Sequence, residues 1–267
     1  MSVAADACGA EGAPSVVFLH GGGQTRHSWG AAVDELGQAG FRAITVDLRG
    51  HGDSDWSTDG RYDLDVLSDD LRAVIATLPD RPALVGASLG GLTSLLLAGE
   101  APDLVCALVM VDVVPQIEPD GAEKILGFMT ASPDGFATVD EAADAVAAYL
   151  PHREKRSSGT GLMKNLRLRE DGRYRWHWDP RMLEQPARGA AEQWRGRLEA
   201  AATHVRVPTL LIRGGISQVV SMEGVEAFRA LILHMEFANI ADADHMVAGD
   251  ENDAFATPLR SFLERTA

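Results

Sequence analysis

The stretch that decides the fold is Leu84–Gly91, with the sequence LVGASLGG. An apolar run leads into a Gly-x-Ser-x-Gly pattern centred on Ser88, and an apolar helical pattern begins at Leu89. A strand that turns this sharply into a helix holds its serine in a strained backbone conformation, and the flanking glycines avoid side-chain clashes. The serine hydroxyl is then exposed above a helix N-terminus, whose dipole favours developing negative charge. The pattern therefore predicts that Ser88 is a nucleophile.

Outside this stretch, short apolar runs alternate with longer helical patterns along most of the chain. Buried strands are predicted at residues 16–20, 42–47, 83–87, 105–112, 209–213 and 235–240, and helices at 28–37, 66–78, 89–98 and 223–231. Near-continuous apolar strands separated by helices are typical of a parallel sheet that is covered on both faces. The sequence therefore predicts an α/β fold with a mostly parallel sheet of about seven strands, one of them an edge strand near residues 3–8.

The alternation is interrupted once, in the middle of the chain. Residues 114–204 contain helical patterns at 122–129 and 139–150 but no convincing buried strand. An interval of this length is too long for a plain loop. We therefore predict a helical cap insertion at residues 114–204 on a core formed by residues 1–113 and 205–267.

The composition is that of an acidic globular protein, with 267 residues, a formal net charge of −15 and a pI of about 4.9. Nucleic-acid binding requires a basic surface and is not expected. No apolar run approaches the roughly 18 residues of a membrane-spanning helix, and the N-terminus lacks the pattern of a secretory signal. We expect a cytoplasmic protein that acts on a small-molecule substrate without a membrane or nucleic-acid partner. Homo-oligomerisation stays open.

The cysteine content gives no sign of a metal centre. Cys8 and Cys106 are the two cysteines, and their spacing is not that of metal ligands or of a disulfide framework. We therefore expect neither a metal nor a cofactor.

A glycine triplet follows the first predicted core strand, in the sequence His20-Gly21-Gly22-Gly23. Consecutive glycines let backbone N–H groups point into a cavity, and an acyl-transfer enzyme needs such donors to hold a tetrahedral oxyanion. We expect the N–H groups of Leu89 and Gly22 to form this oxyanion hole, with Gly23 as the nearest alternative.

The candidate base is His245, in the sequence ADADHMV of residues 241–247. A serine hydroxyl is a poor nucleophile near neutral pH and needs a base beside it, most often a histidine. Of the eight histidines, His245 is the one between the last predicted strand and the C-terminal helix. The alternative is an exposed loop histidine. His20 is interpreted as a turn-stabilising residue and His51 as part of a polar turn.

Taken together, these motifs resemble the α/β-hydrolase superfamily. The matching elements occur in the family's order and are His20-Gly21-Gly22, DLRGHGDS at 47–54, the turn at Ser88, LIRG at 211–214, and His245. The resemblance implies a catalytic triad and an oxyanion hole. It leaves the substrate undefined, because the superfamily includes esterases, lactonases, carbon–carbon bond hydrolases, perhydrolases and non-hydrolytic members.

The third member of the triad departs from the family pattern. The resemblance predicts an aspartate shortly after the strand at 209–213, but the chain has Gln218 within the sequence SQVV. Glutamine cannot stabilise an imidazolium by charge, and the corresponding aspartate-to-asparagine change in a serine protease lowers turnover about 10⁴-fold. A substitute acid is therefore expected, unless Gln218 marks an altered or weakened site.

Asp112 is the best candidate for this acid. It ends the strand that follows the nucleophile, and some branches of the superfamily, including certain haloalkane dehalogenases, resemble this arrangement. The alternative is that Asp112 caps the strand end through local backbone bonds. Asp242 and Asp244 are weaker candidates, because their short tether to His245 makes a contact with Nδ1 awkward.

The expected substrate pocket lies between the carboxyl edge of the sheet and the cap. Its candidate wall residues are Trp29, Phe128, Trp176 and Trp178, with His177 as a polar contact. An aromatic wall suits an apolar or ring-bearing substrate, although each residue is also typical of simple cap packing.

The sequence favours hydrolysis of a small carboxylic ester, lactone or related acyl compound. In this hypothesis Ser88 attacks, His245 transfers the proton, and Asp112 orients His245. One alternative is carbon–carbon bond hydrolysis, or a non-hydrolytic reaction, in the same pocket. The other is a ligand-binding receptor with little or no turnover.

Overall fold

Strands from most of the chain form one central sheet. They are β1 (Ala5–Cys8), β2 (Ser15–Leu19), β3 (Arg42–Val46), β4 (Ala83–Ala87), β5 (Ala107–Val111), β8 (Thr209–Gly214) and β9 (Glu236–Ile240). The computed structural model describes residues 1–149, 161–184, 187–241, 243 and 253–267. Within these residues the sheet has seven strands in the order β1-β3-β2-β4-β5-β8-β9. The edge strand β1 is antiparallel to β3, and the other neighbours are parallel.

The described residues form eight α-helices, several of which cover the two faces of this sheet. They are α1 (Gly30–Gln38), α2 (Leu64–Ile75), α3 (Leu89–Glu100), α4 (Pro119–Thr130), α5 (Val139–Tyr149), α6 (Ala187–His204), α7 (Met222–Leu231) and α8 (Asp253–Thr266). Alternate residues of one strand enter different core clusters: Val17 and Leu19 pack with α2 and α3, whereas Val16 and Phe18 pack with α1 and α8. The predicted α/β fold with a mostly parallel sheet is confirmed. None of the helices in the described ranges is long and apolar enough to cross a membrane.

Close packing of α3 on the sheet positions the turn that contains Ser88, directly before α3. A β-carbon at Gly90 would lie 2.2 Å from the carbonyl oxygen of Leu19, so no larger residue fits where α3 meets β2. At the other end of α3, a β-carbon at Gly99 would lie 2.2 Å from the carbonyl oxygen of Ala201 in α6. The glycines therefore let α3 lie flat between the sheet and α6, with its N-terminus at the carboxyl edge of β4.

The insertion between β5 and β8 is not purely helical. After α4 and α5 it contains an antiparallel hairpin, β6 (Leu166–Leu168) and β7 (Tyr174–Trp176), which the sequence did not indicate. Each strand has three residues, and the central pair is Arg167 with Arg175, so no apolar run marks either strand. Gly172, with φ of 76°, closes the connecting turn, and its N–H donates to the Arg169 carbonyl.

The last helix of the predicted insertion, α6, packs against the core. Leu198, Ala201 and Ala202 of α6 are buried in the same core cluster as α3. Residues 198–202, which lie within the predicted insertion, therefore contribute to the packing of the core. Helical periodicity alone does not tell which surface α6 covers, since either surface would require the same spacing of apolar residues.

Candidate active site

Ser88 lies in a sharp turn between β4 and α3. Its backbone has φ of 46° and ψ of −116°, a conformation that costs a non-glycine residue on the order of 1–3 kcal/mol. A β-carbon at Gly86 would lie 2.4 Å from the carbonyl oxygen of Gly90, so the turn needs glycine at this position. Ser88 is partly exposed, whereas the strand before it is buried. The strained strand-to-helix turn expected from the sequence is present.

The glycine loop after β2, residues 21–23, lies directly beside this turn. We refer to it below as the oxyanion loop. A β-carbon at Gly21 would lie 3.2 Å from the β-carbon of Ser88. Leu89 is the first residue of α3, and the first N–H groups of a helix have no acceptor within it. The next amide, that of Gly90, donates to the carbonyl of His20 at 3.2 Å. The amide of Leu89 is therefore the α3 donor nearest to Ser88 that can serve a ligand.

Only one amide of the oxyanion loop has no acceptor among the described residues. The Gly21 N–H donates to the side-chain oxygen of Gln24 at 2.9 Å, and the Gly23 N–H donates to Nε2 of His51 at 3.2 Å. No acceptor in the described ranges faces the N–H of Gly22. Among the described residues, the N–H of Gly22 is thus available to a ligand, whereas the N–H of Gly23 is bonded to His51.

Two buried histidines, His20 and His51, hold the oxyanion loop through hydrogen bonds to its backbone. Nε2 of His20 accepts from the Leu48 N–H at 3.0 Å, so its Nδ1 carries the proton and donates to the Gly21 carbonyl at 2.8 Å. His51 accepts from Gly23 in the same way, and its Nδ1 donates to the Arg49 carbonyl at 3.0 Å. Burial lowers the pKa of His20 to about 4 and lowers the pKa of His51 well below its usual value. Both rings are therefore neutral at pH 7.

A third buried histidine, His177, lies in the insertion and bonds to the same loop. Its Nδ1 accepts from the Gly52 N–H at 2.7 Å, and its Nε2 donates to the Gly23 carbonyl at 3.3 Å. Burial lowers the pKa of His177 to about 3. The sequence predicted a polar contact between His177 and the substrate. The structure does not support that role, because backbone groups occupy both ring nitrogens.

Asp112 lies at the end of β5 with φ of 48° and is fully buried. Its Oδ1 accepts from the Gly214 N–H at 3.0 Å, and its Oδ2 accepts from the Ser217 hydroxyl at 2.6 Å. The carboxylate therefore reaches across to the loop after β8, where the family pattern predicts an acid. These bonds also satisfy the alternative in which Asp112 caps a strand end.

Gln218, at the position where the family pattern predicts an acid, is bonded to a lysine of the insertion. Its side-chain oxygen accepts from Nζ of Lys124 in α4 at 3.1 Å, and both residues are exposed. Gly121 of α4 lies against the backbone of Gln218, where a β-carbon would come within 2.2 Å of its carbonyl oxygen. The side chain at the expected acid position is thus bonded to the insertion.

His245, the predicted base, lies outside the described residues, as do Asp242 and Asp244. Ala243 is described, and its carbonyl accepts from the Ile216 N–H at 3.0 Å. The chain after β9 therefore touches, at Ala243, the loop that also carries Ser217.

Three of the predicted wall residues come together in the insertion. Trp176 and Trp178 stack with ring centres 5.1 Å apart, and Phe128 lies 5.6 Å from Trp176. Trp178 also covers the oxyanion loop, because a β-carbon at Gly23 would lie 3.3 Å from its ring. The methyl carbon of Met129 would lie 3.2 Å from the same β-carbon. Met129 was missed in the sequence, where only its position beside Phe128 could have indicated it.

Trp29 does not belong to this group. Its ring packs on Phe18 at 5.0 Å and on Phe255 at 5.9 Å, in the core cluster under α1 and α8. Trp29 is 3% exposed. The interpretation of Trp29 as a wall residue is therefore replaced by a packing role.

Within the described ranges, no three His, Cys, Asp or Glu residues are grouped so that they could hold a metal ion. The three clustered histidines illustrate why. Each of their ring nitrogens is bonded to a backbone N–H or carbonyl group.

The sheet, the serine turn and the oxyanion loop together define a protein class. The chain belongs to the alpha/beta hydrolase fold family, whose model matches residues 14–251. The family resemblance expected from the motifs is confirmed.

Known proteins of this family resemble the chain over most of its length. The chain is 33% identical to the esterase Rv0045c of Mycobacterium tuberculosis, over 94% of this chain and 83% of the relative. It is 29% identical to the sn-1-specific diacylglycerol lipase ABHD11 of Mus musculus, over 94% and 81% respectively. The crystal structure of E-2-(acetamidomethylene)succinate hydrolase is similar with a TM-score of 0.86 and 25% identity, over 97% of this chain and 94% of that chain.

Proposed function

We propose that the protein is a serine hydrolase that cleaves a small carboxylic ester, lactone or related acyl compound through an acyl-enzyme on Ser88. The observation that carries this proposal is the strained turn at Ser88 with two backbone amides, Leu89 and Gly22, available beside it. The relatives named as an esterase and a lipase support an ester as the substrate.

The reaction follows from the roles of these groups. The hydroxyl oxygen of Ser88 attacks the carbonyl carbon of the ester while His245 takes the hydroxyl proton. The carbonyl oxygen becomes an oxyanion, which the amides of Leu89 and Gly22 stabilise. The alcohol leaves with the proton from His245, and the acyl group stays on Ser88. A water molecule that gives its proton to His245 then attacks the acyl-enzyme. The acid is released as His245 returns the proton to the oxygen of Ser88.

Asp112 is the proposed third member of the triad. A buried carboxylate that accepts bonds from Gly214 and Ser217 is held rigidly, and its charge can orient and stabilise the imidazolium of His245. Gln218 is bonded to Lys124 instead, which supports assigning the acid to Asp112.

The side chains that pack on the oxyanion loop favour an apolar substituent on the substrate. Trp178 and Met129 lie against Gly23, so a group bound beside the oxyanion meets an aromatic ring and a thioether. Phe128 and Trp176 pack behind Trp178 and support its position. An apolar acyl or alcohol group suits such a wall better than a charged one.

Labelling with a fluorophosphonate tests the nucleophile directly. We expect the wild-type protein to be labelled and the Ser88→Ala variant to remain unlabelled. A panel of 4-nitrophenyl esters, lactones and β-diketones then separates ester hydrolysis from carbon–carbon bond hydrolysis. A wild-type protein that neither reacts with the probe nor turns over any ester would contradict the proposal and favour a ligand-binding receptor.

A further inference from the structure

We infer that His177, a residue of the insertion, positions the oxyanion loop and thereby sets the direction of the Gly22 amide. The inference rests on the proposed function, since it concerns the same site. It assigns His177 a role without substrate contact: the ring acts only through the backbone of Gly23.

The oxyanion loop needs external support because it consists of three glycines. Glycine has no β-carbon to restrict its φ and ψ, and Gly23 has φ of 75°. A β-carbon at Gly22 would have nothing within 4 Å, so no neighbouring group restricts this residue on that side. The direction of the Gly22 N–H therefore depends on the bonds made by the neighbouring peptide groups.

Each of these peptide groups is held by one imidazole. A peptide unit is planar, so the carbonyl of Gly21 and the N–H of Gly22 point in opposite directions. His20 holds that carbonyl and thus orients the Gly22 N–H. His51 holds the N–H of Gly23, and His177 holds the carbonyl of Gly23. The peptide that His177 holds also carries the Gln24 N–H, which donates to the Gly21 carbonyl at 3.1 Å. His177 therefore acts, through this bond, on the same peptide group that carries the Gly22 N–H.

His177 is itself held firmly in the fold. The ring is 1% exposed and its Nδ1 accepts from Gly52, a residue 125 positions earlier in the chain. The next residues bind the same part of the core: the Asp179 N–H donates to the Gly50 carbonyl at 2.9 Å, and the Asp179 carboxylate accepts from the Tyr62 hydroxyl. The insertion thus joins the oxyanion loop to the core through the hydrogen bonds of residues 177–179.

Two substitutions of His177 test its two hydrogen bonds one at a time. Asn places an oxygen near the position of Nδ1, so H177N keeps the bond from Gly52 and loses the donor to Gly23. Gln places an N–H near the position of Nε2, so H177Q keeps the donor to Gly23. We expect kcat for 4-nitrophenyl butyrate to fall about tenfold in H177N with KM within about twofold, because a misdirected donor weakens transition-state binding more than substrate binding. H177Q should stay within about threefold of wild-type kcat.

Y62F is the matched control. Tyr62 also joins the insertion to the core, through Asp179, but it makes no bond to the oxyanion loop. We expect Y62F to lower the unfolding midpoint while leaving kcat within about twofold of wild type. An equal fall of kcat in Y62F and H177N would overturn the inference, because general loosening of the insertion would then explain both.

Hydrogen exchange gives a readout that does not depend on turnover. The N–H groups of Gly23 and Gln24 are bonded to His51 and to the Gly21 carbonyl, so both should exchange slowly. We expect faster exchange in the peptide that contains them for H177N and not for Y62F. Unchanged exchange in H177N, or unchanged kcat, overturns the inference.

The two proposals can fail separately. A wild-type protein without ester turnover contradicts the proposed function, and the exchange measurement still decides whether His177 holds the loop. Where H177N does not fold, H177Q is compared with H177M, which lacks both hydrogen bonds of the ring. A kcat about tenfold lower in H177M than in H177Q supports the inference, and equal kcat in the two variants contradicts it.

Discussion

Two adjacent strands, β4 and β5, end in strained turns that are held in different ways. Ser88 and Asp112 are the two non-glycine residues with positive φ in the described part of the chain, at 46° and 48°. Ser88 is partly exposed, and the close packing of the glycines around it keeps the turn in place. Asp112 is fully buried, and hydrogen bonds from Gly214 and Ser217 to its carboxylate keep the turn in place.

This difference indicates which role each turn suits. A strained residue persists where the surrounding structure over-determines its conformation, and such residues cluster at functional sites. The turn at Ser88 leaves the side chain exposed, as a nucleophile requires. At Asp112, hydrogen bonds fix both oxygens of the carboxylate. A residue that orients another side chain needs to be fixed in this way.

Removing the hydroxyl of Ser88 has the largest expected effect. Ser88→Ala should lower kcat for 4-nitrophenyl acetate by at least about 10⁴-fold, because loss of the nucleophile in a serine protease costs about 10⁶-fold. The fold should persist, since alanine keeps the β-carbon. Ser94→Ala is the control in the same helix, because its hydroxyl donates to the Gly90 carbonyl. Turnover that persists in Ser88→Ala would remove Ser88 from the mechanism.

Neutralising Asp112 tests the buried turn. Asp112→Asn should lower kcat by about 10³–10⁴-fold, because an amide cannot stabilise the imidazolium by charge. Ser217→Ala keeps the carboxyl group of Asp112 and removes one of its hydrogen bonds, and it should lower kcat less than about tenfold. Both variants are compared with wild type by kcat and by urea unfolding. If Asp112→Asn loses stability but keeps kcat within about threefold, Asp112 only caps the strand.

The neutral histidines that bond to the oxyanion loop predict that the protein is less stable at acidic pH. The folded-state pKa of His20 is about 4 and that of His177 about 3, below the ordinary value of 6.5. The unfolded chain therefore binds more protons below pH 6.5, and the free energy of unfolding falls as the pH is lowered toward 4. Each histidine contributes up to about 1.4 kcal/mol per pH unit.

Urea unfolding between about pH 4.5 and pH 7 measures this dependence. H177Q lacks one of the imidazoles, so its free energy of unfolding should depend less steeply on pH. An identical slope in H177Q and wild type would mean that other groups cause the acid instability.

Restoring an acid at position 218 has the smallest expected effect. Gln218→Asp should change kcat by less than about threefold, because this side chain lies beside Lys124 and Asp112 is proposed to supply the charge. An exposed ion pair between the introduced carboxylate and Lys124 adds at most about 1 kcal/mol of stability. A rise in kcat of about tenfold or more would instead identify Gln218 as a weakening substitution, and the comparison of the two turns would lose its basis.

The core was predictable because its elements have local patterns. The strand at 83–87 and the helix beginning at Leu89 occur as the apolar runs indicate. In the insertion, the β6–β7 hairpin was missed because strands of three residues with a central arginine have no apolar run. The position of Trp29 in the core under α1 and α8 could not be predicted, because periodicity indicates burial but not which neighbours cover a ring.

The sequence by itself determined the α/β class, the strained turn at Ser88 and the glycine loop beside it, since each depends on residues that are close along the chain. Only the tertiary structure decided that Gly22 rather than Gly23 has an available amide, and that His177 bonds to Gly52 and Gly23. It also decided that the Asp112 carboxylate meets Ser217. These outcomes depend on hydrogen bonds between residues up to 154 positions apart. Such bonds form only when the sheet and the insertion pack together, so no local pattern records them.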